Sequence, residues 1–184
     1  MGVFGPRPLP VEQGTVLCVD PGLRLCGVAL FDSRGTLLRA GLVTSKLPSK
    51  THIRGAQAWK ASADEVRAWV GGCPLAKVIV EEQRIDGRTP NADDMLQVNG
   101  VAGACTELFP GAPVQGYWPE TWKGSLPKAD CTARIIDRIN EDPVEGARVE
   151  RTGVQESLQH NIYDAVGLGL FHWNRLLPRR IIHR

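Results

Sequence analysis

The chain has 184 residues, of which 42% are hydrophobic and 23% are charged, an ordinary composition for a globular protein with its own core. The formal net charge of +2 does not by itself indicate nucleic-acid binding, and no segment has the roughly 18 apolar residues that a membrane span requires. The five cysteines show no C-x-x-C spacing. We therefore expect reduced thiols in a cytoplasmic protein with no membrane partner.

Three parts of the chain differ in composition. Residues 1–14 are rich in Pro and Gly and lack the apolar segment of a signal peptide, so we expect a flexible leader. Residues 15–177 carry strand and helix patterns and are expected to form one domain. Residues 178–184 are expected to be a basic tail, because the last ten residues contain four arginines and no acid.

Strand patterns come first, at 15–20, 26–32 and 37–43. Turn-forming residues separate them, with Pro21-Gly22 before the second strand and Ser33–Gly35 before the third. Connections this short favour an antiparallel arrangement of the three strands.

Helix and strand patterns alternate in the rest of the chain. The expected elements are a helix at 52–70, a strand at 77–81, a helix at 91–109 with Asn91 as its N-cap, a strand at 113–117, a loop with Trp118, Trp122, Lys123 and Lys128, a helix at 129–140, a loop at 141–155 and a helix at 156–177. This order predicts an α/β fold with a mixed five-stranded sheet flanked by helices.

Three acidic residues stand where a folded chain rarely leaves a carboxylate. Asp20 ends the apolar segment 15–19, Glu81 ends the apolar segment 77–80, and Asp164 lies inside an apolar helix pattern. A charge in such a place is usually held by partners or by a metal ion. Oxygen ligands from separate elements suit hard divalent cations, so the three acids predict metal-dependent chemistry on phosphate.

Two of the acids also have a structural interpretation, and for Glu81 it is a solvated strand end. Asp20 precedes a Pro-Gly turn and is able to cap it. Strand alternation places Glu81 and Gln83 on one face and Glu82 on the other. One of the two glutamates therefore shares the pocket with Asp20 while its neighbour turns to solvent. We expect Glu81 in the pocket, and Glu82 takes its place if the strand ends one residue later.

The last helix brings further polar residues near Asp164. His160 lies one helical turn before Asp164, and Asn161 shares a face with the same aspartate. A histidine here is either a hydrogen-bonded structural residue or a group that works beside the metal. Gly167 and Gly169 each lower helix stability by about 1 kcal/mol relative to Ala, which favours close packing of this helix on the sheet.

The order and spacing of these motifs resemble the RuvC-type Holliday junction resolvases of the ribonuclease H-like superfamily. The resemblance rests on Val-Asp-Pro-Gly at 19–22 with Gly27, on Val-Glu-Glu-Gln at 80–83, on the stretch 91–103 and on Asp164-Ala165. It implies a ribonuclease H-like fold and a homodimer that cuts four-way DNA junctions with paired, symmetric nicks. It also implies Mg²⁺, with Mn²⁺ as a substitute, no nucleotide cofactor, and a bacterial or phage source.

The resemblance makes Asp20, Glu81 and Asp164 metal ligands. The family has His or Asp at a fourth position, three residues before the last acid, where this chain has Asn161. His160 stands one place earlier. It either serves as the fourth ligand or a proton shuttle, or the fourth position is weakened.

Basic and aromatic residues complete the expected site. Lys123 and Lys128 fall where the family has basic residues near the scissile phosphate, although solvated loop lysines are the alternative. Arg84, Arg88 and the C-terminal arginines, including Arg175, are expected to contact the DNA backbone. The remaining expectations are a dimer surface on the helix at 91–109, and core or interface positions, or base stacking, for Trp118 and Trp122.

Three other functions stay open. A ribonuclease H-like nuclease acting on other branched DNA or on RNA uses the same carboxylates. A junction-binding protein with impaired catalysis follows if Asn161 disables the site. An actin-like ATPase also opens with a strand and an Asp-containing turn, but such proteins are much longer and need a second Gly-rich phosphate motif that the sequence lacks.

Overall fold

The structure is a computed structural model that describes residues 14–45, 55–85 and 92–176. Arg88, Asn91, the expected tail and all of the expected leader except Gly14 lie outside the described residues. Among the helices of the described ranges, none is both long enough and apolar enough to cross a membrane.

Five strands form one mixed sheet in the order β3-β2-β1-β4-β5. Their bounds are Thr15–Asp20 (β1), Leu25–Phe31 (β2), Leu37–Thr44 (β3), Leu75–Glu81 (β4) and Val114–Tyr117 (β5). The first three strands pair antiparallel, and β1, β4 and β5 run parallel to one another. The mixed five-stranded sheet and its antiparallel first half are therefore confirmed.

Helices cover both faces of the sheet. They are α1 (Ala56–Val70), α2 (Ala92–Glu107), α3 (Pro119–Trp122), α4 (Lys128–Asn140), α5 (Pro143–Ala147) and α6 (Gln159–His172), with a 3₁₀ turn at Glu156–Leu158. Alternate residues of β1 point to opposite faces. Leu17 and Val19 join a core with α1 and α2, whereas Val16 and Cys18 join a core with α4 and α6.

The last helix is shorter than expected. The predicted helix at 156–177 is wrong at both ends, because residues 156–158 form a 3₁₀ turn and α6 stops at His172. Asn174 adopts a positive φ of 54°, and the amides of Arg175 and Leu176 turn back to the carbonyl of Leu170. This left-handed termination is typical of helix C-termini.

The predicted loop at 141–155 contains the short helix α5. The Asp142 side chain accepts a hydrogen bond of 2.9 Å from the Val144 amide, and Pro143 occupies the first turn, which are both helix-start signals. Glu145 on α5 is buried, and its Oε1 accepts a 2.7 Å bond from the Leu37 amide at the start of β3. This contact joins α5 to the end of the sheet where β3 begins.

Helix α6 approaches the sheet closely at β2. A Cβ atom added to Gly27 would lie 1.8 Å from the backbone oxygen of Asn161. One added to Gly169 would lie 2.0 Å from the ring of Phe31. Gly169 therefore permits the close packing on the sheet that was expected of Gly167 and Gly169, whereas a Cβ atom added to Gly167 would meet Trp122 and Ile135 instead. Gly27 is itself the register partner of Asp20. The contact brings the first half of α6, with Asp164, to the end of β1.

Candidate active site

Three carboxylates meet where β1 and β4 end. Asp20 is the last residue of β1, Glu81 is the last residue of the parallel neighbour β4, and Asp164 comes from α6. Glu81 is 3% exposed and Asp164 4% exposed. Asp20 is half-buried and interacts electrostatically with both of them. The structure thus brings together the three acids that the sequence singled out.

Both carboxylate oxygens of Glu81 are held by neighbours. Oε1 accepts a 2.9 Å hydrogen bond from Nε2 of Gln83. Oε2 accepts a 3.0 Å bond from the indole nitrogen of Trp122 and lies 3.0 Å from Nζ of Lys123. Gln83 is therefore on the Glu81 face, as strand alternation predicted. Trp122 is a buried residue that orients one of the three acids, a role that the sequence did not reveal.

The segment after β4 is fixed from α2. Asn99 accepts a 2.8 Å hydrogen bond from the Gln83 amide and donates a 2.8 Å bond to the Gln83 carbonyl. This pair of bonds sets the backbone from which the Gln83 side chain reaches Glu81. The orientation of Glu81 consequently depends on a residue of α2.

Glu82 lies apart from the three carboxylates. It is exposed, and its carboxylate lies over β5, where a Cβ atom added to Gly116 would come within 2.0 Å of Oε1. Of the two adjacent glutamates, Glu81 is the one that shares the pocket with Asp20 and Asp164.

Lys123 is the cation of this cluster. Its Nζ lies 3.0 Å from Glu81 Oε2 and 3.0 Å from Asp164 Oδ2, and 4.6 Å from the ring centroid of Trp122. The lysine follows α3, and its amide donates a 2.8 Å bond to the Pro119 carbonyl. The segment at 118–123 was predicted as loop, but this single helical turn aims the ammonium group at the acids.

The electrostatic balance of the site favours a bound cation. Burial raises the pKa of Asp20 well above its usual value, and repulsion by Glu81 and Asp164 adds to the effect, with Lys123 and Lys128 opposing it. Burial also raises the pKa of Glu81, against the attraction of Lys123. Burial alone would lower the pKa of Lys123, but the two acids outweigh it and the net shift is upward. When all three acids are ionised, they carry more negative charge than one ammonium group compensates.

The donor set suits Mg²⁺ chemically. All three side chains offer carboxylate oxygens, the ligands that hard divalent cations prefer, and they repel one another at low exposure. In the described ranges, however, no three His, Cys, Asp or Glu side chains are arranged so as to hold a metal ion. Glu81 and Asp164 are instead drawn onto Lys123. The acids are thus the residues that would hold a metal, in an arrangement closed around an internal cation.

The two ring nitrogens of His160 differ in their contacts. Its Nδ1 lies 2.7 Å from the Ser157 carbonyl, and since a carbonyl only accepts, Nδ1 carries the proton in this contact. The lone pair of the neutral ring is then on Nε2, the atom available to a metal or a proton. Asn161 instead donates to the Leu158 carbonyl at 3.2 Å. The role of His160 as ligand or shuttle stays a prediction.

The turn after Asp20 is held by side chains that the sequence did not identify. The thiol of Cys26 donates to the Gly22 carbonyl at 3.2 Å, and burial raises its pKa to about 12. Ser62 of α1 donates a 2.6 Å bond to the Leu23 carbonyl. These contacts fix the direction in which Asp20 leaves β1.

The other expected basic residues differ in location. Lys128 begins α4, is exposed, and acts on Asp20 electrostatically. Arg84 is exposed beyond β4. The guanidinium of Arg175 has a partner within the fold, because it pairs with buried Glu145, with Nη1 2.8 Å from Oε1, and contact of Arg175 with DNA stays a prediction. That pair lies at the opposite end of the sheet from the three acids.

Solved structures of RuvC resemble this chain over most of its length. T. thermophilus RuvC in complex with Holliday junction substrate aligns with a TM-score of 0.54 and 19% identity, covering 89% of this chain and 96% of that chain. A Thermus thermophilus RuvC structure aligns with a TM-score of 0.50 and 18% identity, covering 88% and 95%. Neither a family model nor a curated protein matches the sequence. The fold is therefore the RuvC-type, ribonuclease H-like fold that the motifs implied.

Proposed function

We propose that this protein is a metal-dependent, structure-selective endonuclease that resolves four-way DNA junctions by paired, symmetric nicks. The observation that carries the proposal is the meeting of Asp20, Glu81 and Asp164 around Lys123. This meeting occurs in a fold shared with RuvC, one of whose structures contains a Holliday junction. Buried carboxylates that converge with a lysine are suited to phosphodiester hydrolysis.

Each side chain has a chemical task in this proposal. Asp20, Glu81 and Asp164 would hold the metal, which would supply charge for the phosphate and an activated water. Lys123, once displaced from the acids, neutralises charge that develops on the phosphate. Lys128 contacts the phosphate backbone at the start of α4. His160 accepts or delivers a proton through Nε2.

Two copies of the site are needed for paired nicks. A two-fold homodimer presents identical sites to the two strands of a symmetric junction. Helix α2 is the proposed dimer surface, and its Leu96 is 54% exposed. Because Asn99 on the same helix fixes Gln83, dimer formation and the orientation of Glu81 share one element. We further propose that the protein acts in the cytoplasm of a bacterium or a phage-infected cell.

One observation favours a second candidate function. Lys123 forms ion pairs with Glu81 and Asp164. In addition, this chain has Asn161 where the family has a fourth ligand, His or Asp. A protein whose acids stay closed around the lysine would bind junctions without cutting them. A nuclease that acts on other branched DNA or on RNA would use the same three acids and would differ only in its substrate.

Cleavage of a labelled four-way junction and of a linear duplex with the same sequence tests the proposal. Wild-type protein is expected to nick the junction in Mg²⁺ or Mn²⁺ but not in EDTA, and to leave the duplex intact. Asp20→Asn is expected to abolish nicking. Asp64→Asn is the matched control, because it changes an exposed acid of α1 whose ion pair with Lys60 adds little stability. Junction binding without nicking in either metal would favour the second candidate.

A further inference from the structure

One tryptophan is left exposed beside the candidate site. Of the five tryptophans in the sequence, Trp122 and Trp173 are buried at 4% and 2% exposure, whereas Trp118 is 47% exposed. Burial of an indole is among the larger stabilising contributions available to a fold. The fold buries only about half of the Trp118 side chain, and the exposed part is a surface that a ligand could cover.

Trp118 stands at the same end of the sheet as the three acids. Tyr117, which precedes it, is the register partner of Glu81, and the Glu82 amide donates a 3.0 Å bond to the Tyr117 carbonyl. Trp118 is also the N-cap of α3, where its carbonyl accepts a 2.9 Å bond from Thr121. Its backbone is therefore fixed on both sides, and little conformational freedom is lost when the indole binds a partner.

A cation accompanies the indole. The guanidinium carbon of Arg84 lies 5.5 Å from the centroid of the Trp118 ring, and Arg84 is itself exposed. A guanidinium beside an exposed indole offers a π surface for a base and a positive charge for the adjoining phosphate. An acidic or purely apolar partner would use only one of these two features.

We propose that Trp118 and Arg84 form a nucleobase-binding site, in which an unpaired or unstacked base next to the branch point of the DNA stacks on the indole. The inference rests on the proposed function, because it takes branched DNA as the ligand. Every base has a π face, so the site recognises an exposed base rather than a sequence. It thereby adds selectivity for branched over linear DNA.

Binding to a four-way junction that carries 2-aminopurine beside the branch point tests the site. The measurement is made in EDTA, which prevents cleavage, and a linear duplex with the same fluorescent base serves as reference. Trp118→Ala is expected to weaken junction binding about tenfold and to remove the quenching of 2-aminopurine, since stacking on an aromatic side chain has that typical magnitude. Duplex binding should stay within about twofold. Trp118→Phe should restore most of the affinity, and Arg84→Met should weaken junction binding to a smaller extent.

Val144→Ala is the matched control, because Val144 is 57% exposed and lies on α5 at the opposite end of the sheet. If wild-type protein prefers the junction and Trp118→Ala binds it equally well, the nucleobase site is ruled out while the proposed function stands. If wild-type protein shows no preference for the junction, the proposed function fails and this inference fails with it. A change from dimer to monomer for Trp118→Ala, seen by sedimentation, would place the indole in a protein interface and also rule out the site.

Discussion

Nζ of Lys123 lies 3.0 Å from Oδ2 of Asp164, so a lysine at the end of a one-turn helix neutralises an aspartate that α6 buries. The same ammonium group lies 3.0 Å from Glu81. The lysine therefore fills, in the absence of metal, the need for positive charge that a divalent cation would meet. A metal ion held by these acids would compete with Lys123 for the same oxygens.

Loss of Lys123 is expected to destabilise the metal-free protein. Lys123→Met leaves two buried carboxylates without a cation, which typically lowers the free energy of unfolding by about 3 kcal/mol. Added Mg²⁺ should recover much of that loss, because it replaces the missing charge. Thermal denaturation in EDTA and in Mg²⁺ measures both effects. Lys60→Met, at an exposed ion pair, should change stability by less than about 0.5 kcal/mol in either buffer.

Asp20→Asn should stabilise the metal-free protein while it abolishes activity. Burial, reinforced by the two neighbouring acids, raises the pKa of Asp20 in the folded state, so the folded protein holds this proton more tightly than the unfolded chain does. Below the unfolded pKa of about 3.9 the two states are protonated alike. As the pH rises towards the raised folded pKa, the wild-type protein loses stability at this position.

The pH dependence of the difference between the two proteins is the measurement. In EDTA at neutral pH, the free energy of unfolding of Asp20→Asn should exceed that of wild type by about 1–2 kcal/mol. This difference should disappear in acid. A difference that is constant with pH, or that favours wild type at neutral pH, would contradict the raised pKa.

The positions of Asp20 and Glu81 at the ends of their strands were predictable from the sequence because the signal is local. Asp20 and Glu81 each end an apolar strand, so their place at one edge of the sheet follows from the parallel pairing of β1 and β4. The partners of these acids were not predictable in the same way. In the sequence, Trp122 cannot be told from an ordinary core residue. Its hydrogen bond to Glu81 forms because α3 places the indole under β4.

Other features of the fold were missed for similar reasons. Glu145 lies in a segment that is polar in sequence and was assigned to a loop, whereas Arg175 was assigned to the last helix and expected to contact DNA, so their buried pair was not predicted. The early end of α6 depends on the left-handed conformation of Asn174, in a stretch whose apolar pattern continues beyond the helix. Tertiary contacts, rather than periodicity, decide both.

Asn99 is expected to act as a positioning residue for Glu81. Asn99→Ala removes both hydrogen bonds to the Gln83 backbone, and Gln83 then orients Glu81 less well. We expect kcat for junction nicking to fall about tenfold, or roughly 1.4 kcal/mol in activation free energy, with little change in junction affinity. Gln83→Ala should have a similar effect.

Thr106→Ala is the control for Asn99, because it removes a hydrogen bond within the same helix, from Thr106 to the Gly103 carbonyl, that does not reach the site. Equal losses of activity for Thr106→Ala and Asn99→Ala would mean that α2 acts only through its general stability.

Gly27→Ala should displace α6 from the sheet. The added Cβ atom would lie 1.8 Å from the Asn161 backbone oxygen, and such overpacking typically lowers the free energy of unfolding by about 3 kcal/mol. Junction nicking should fall with it, since Asp164 moves with the helix. Chemical denaturation and nicking assays measure the two effects.

Gly103→Ala is the matched control for Gly27. A Cβ atom there meets no atom within 4 Å, and the exchange in a helix should raise stability by up to about 1 kcal/mol. Equal destabilisation by the two exchanges would show that the approach of α6 to β2 is not the cause.

Mapping the cleavage sites on a four-way junction labelled on each strand in turn shows whether the protein resolves junctions. A fork, a flap, a linear duplex and an RNA–DNA hybrid are measured alongside in Mg²⁺. Paired nicks are expected at symmetric positions on two opposing strands of the junction, absent in EDTA and in Asp20→Asn. Preferred cleavage of the fork, the flap or the hybrid, or a single unpaired nick on the junction, would overturn the proposed function.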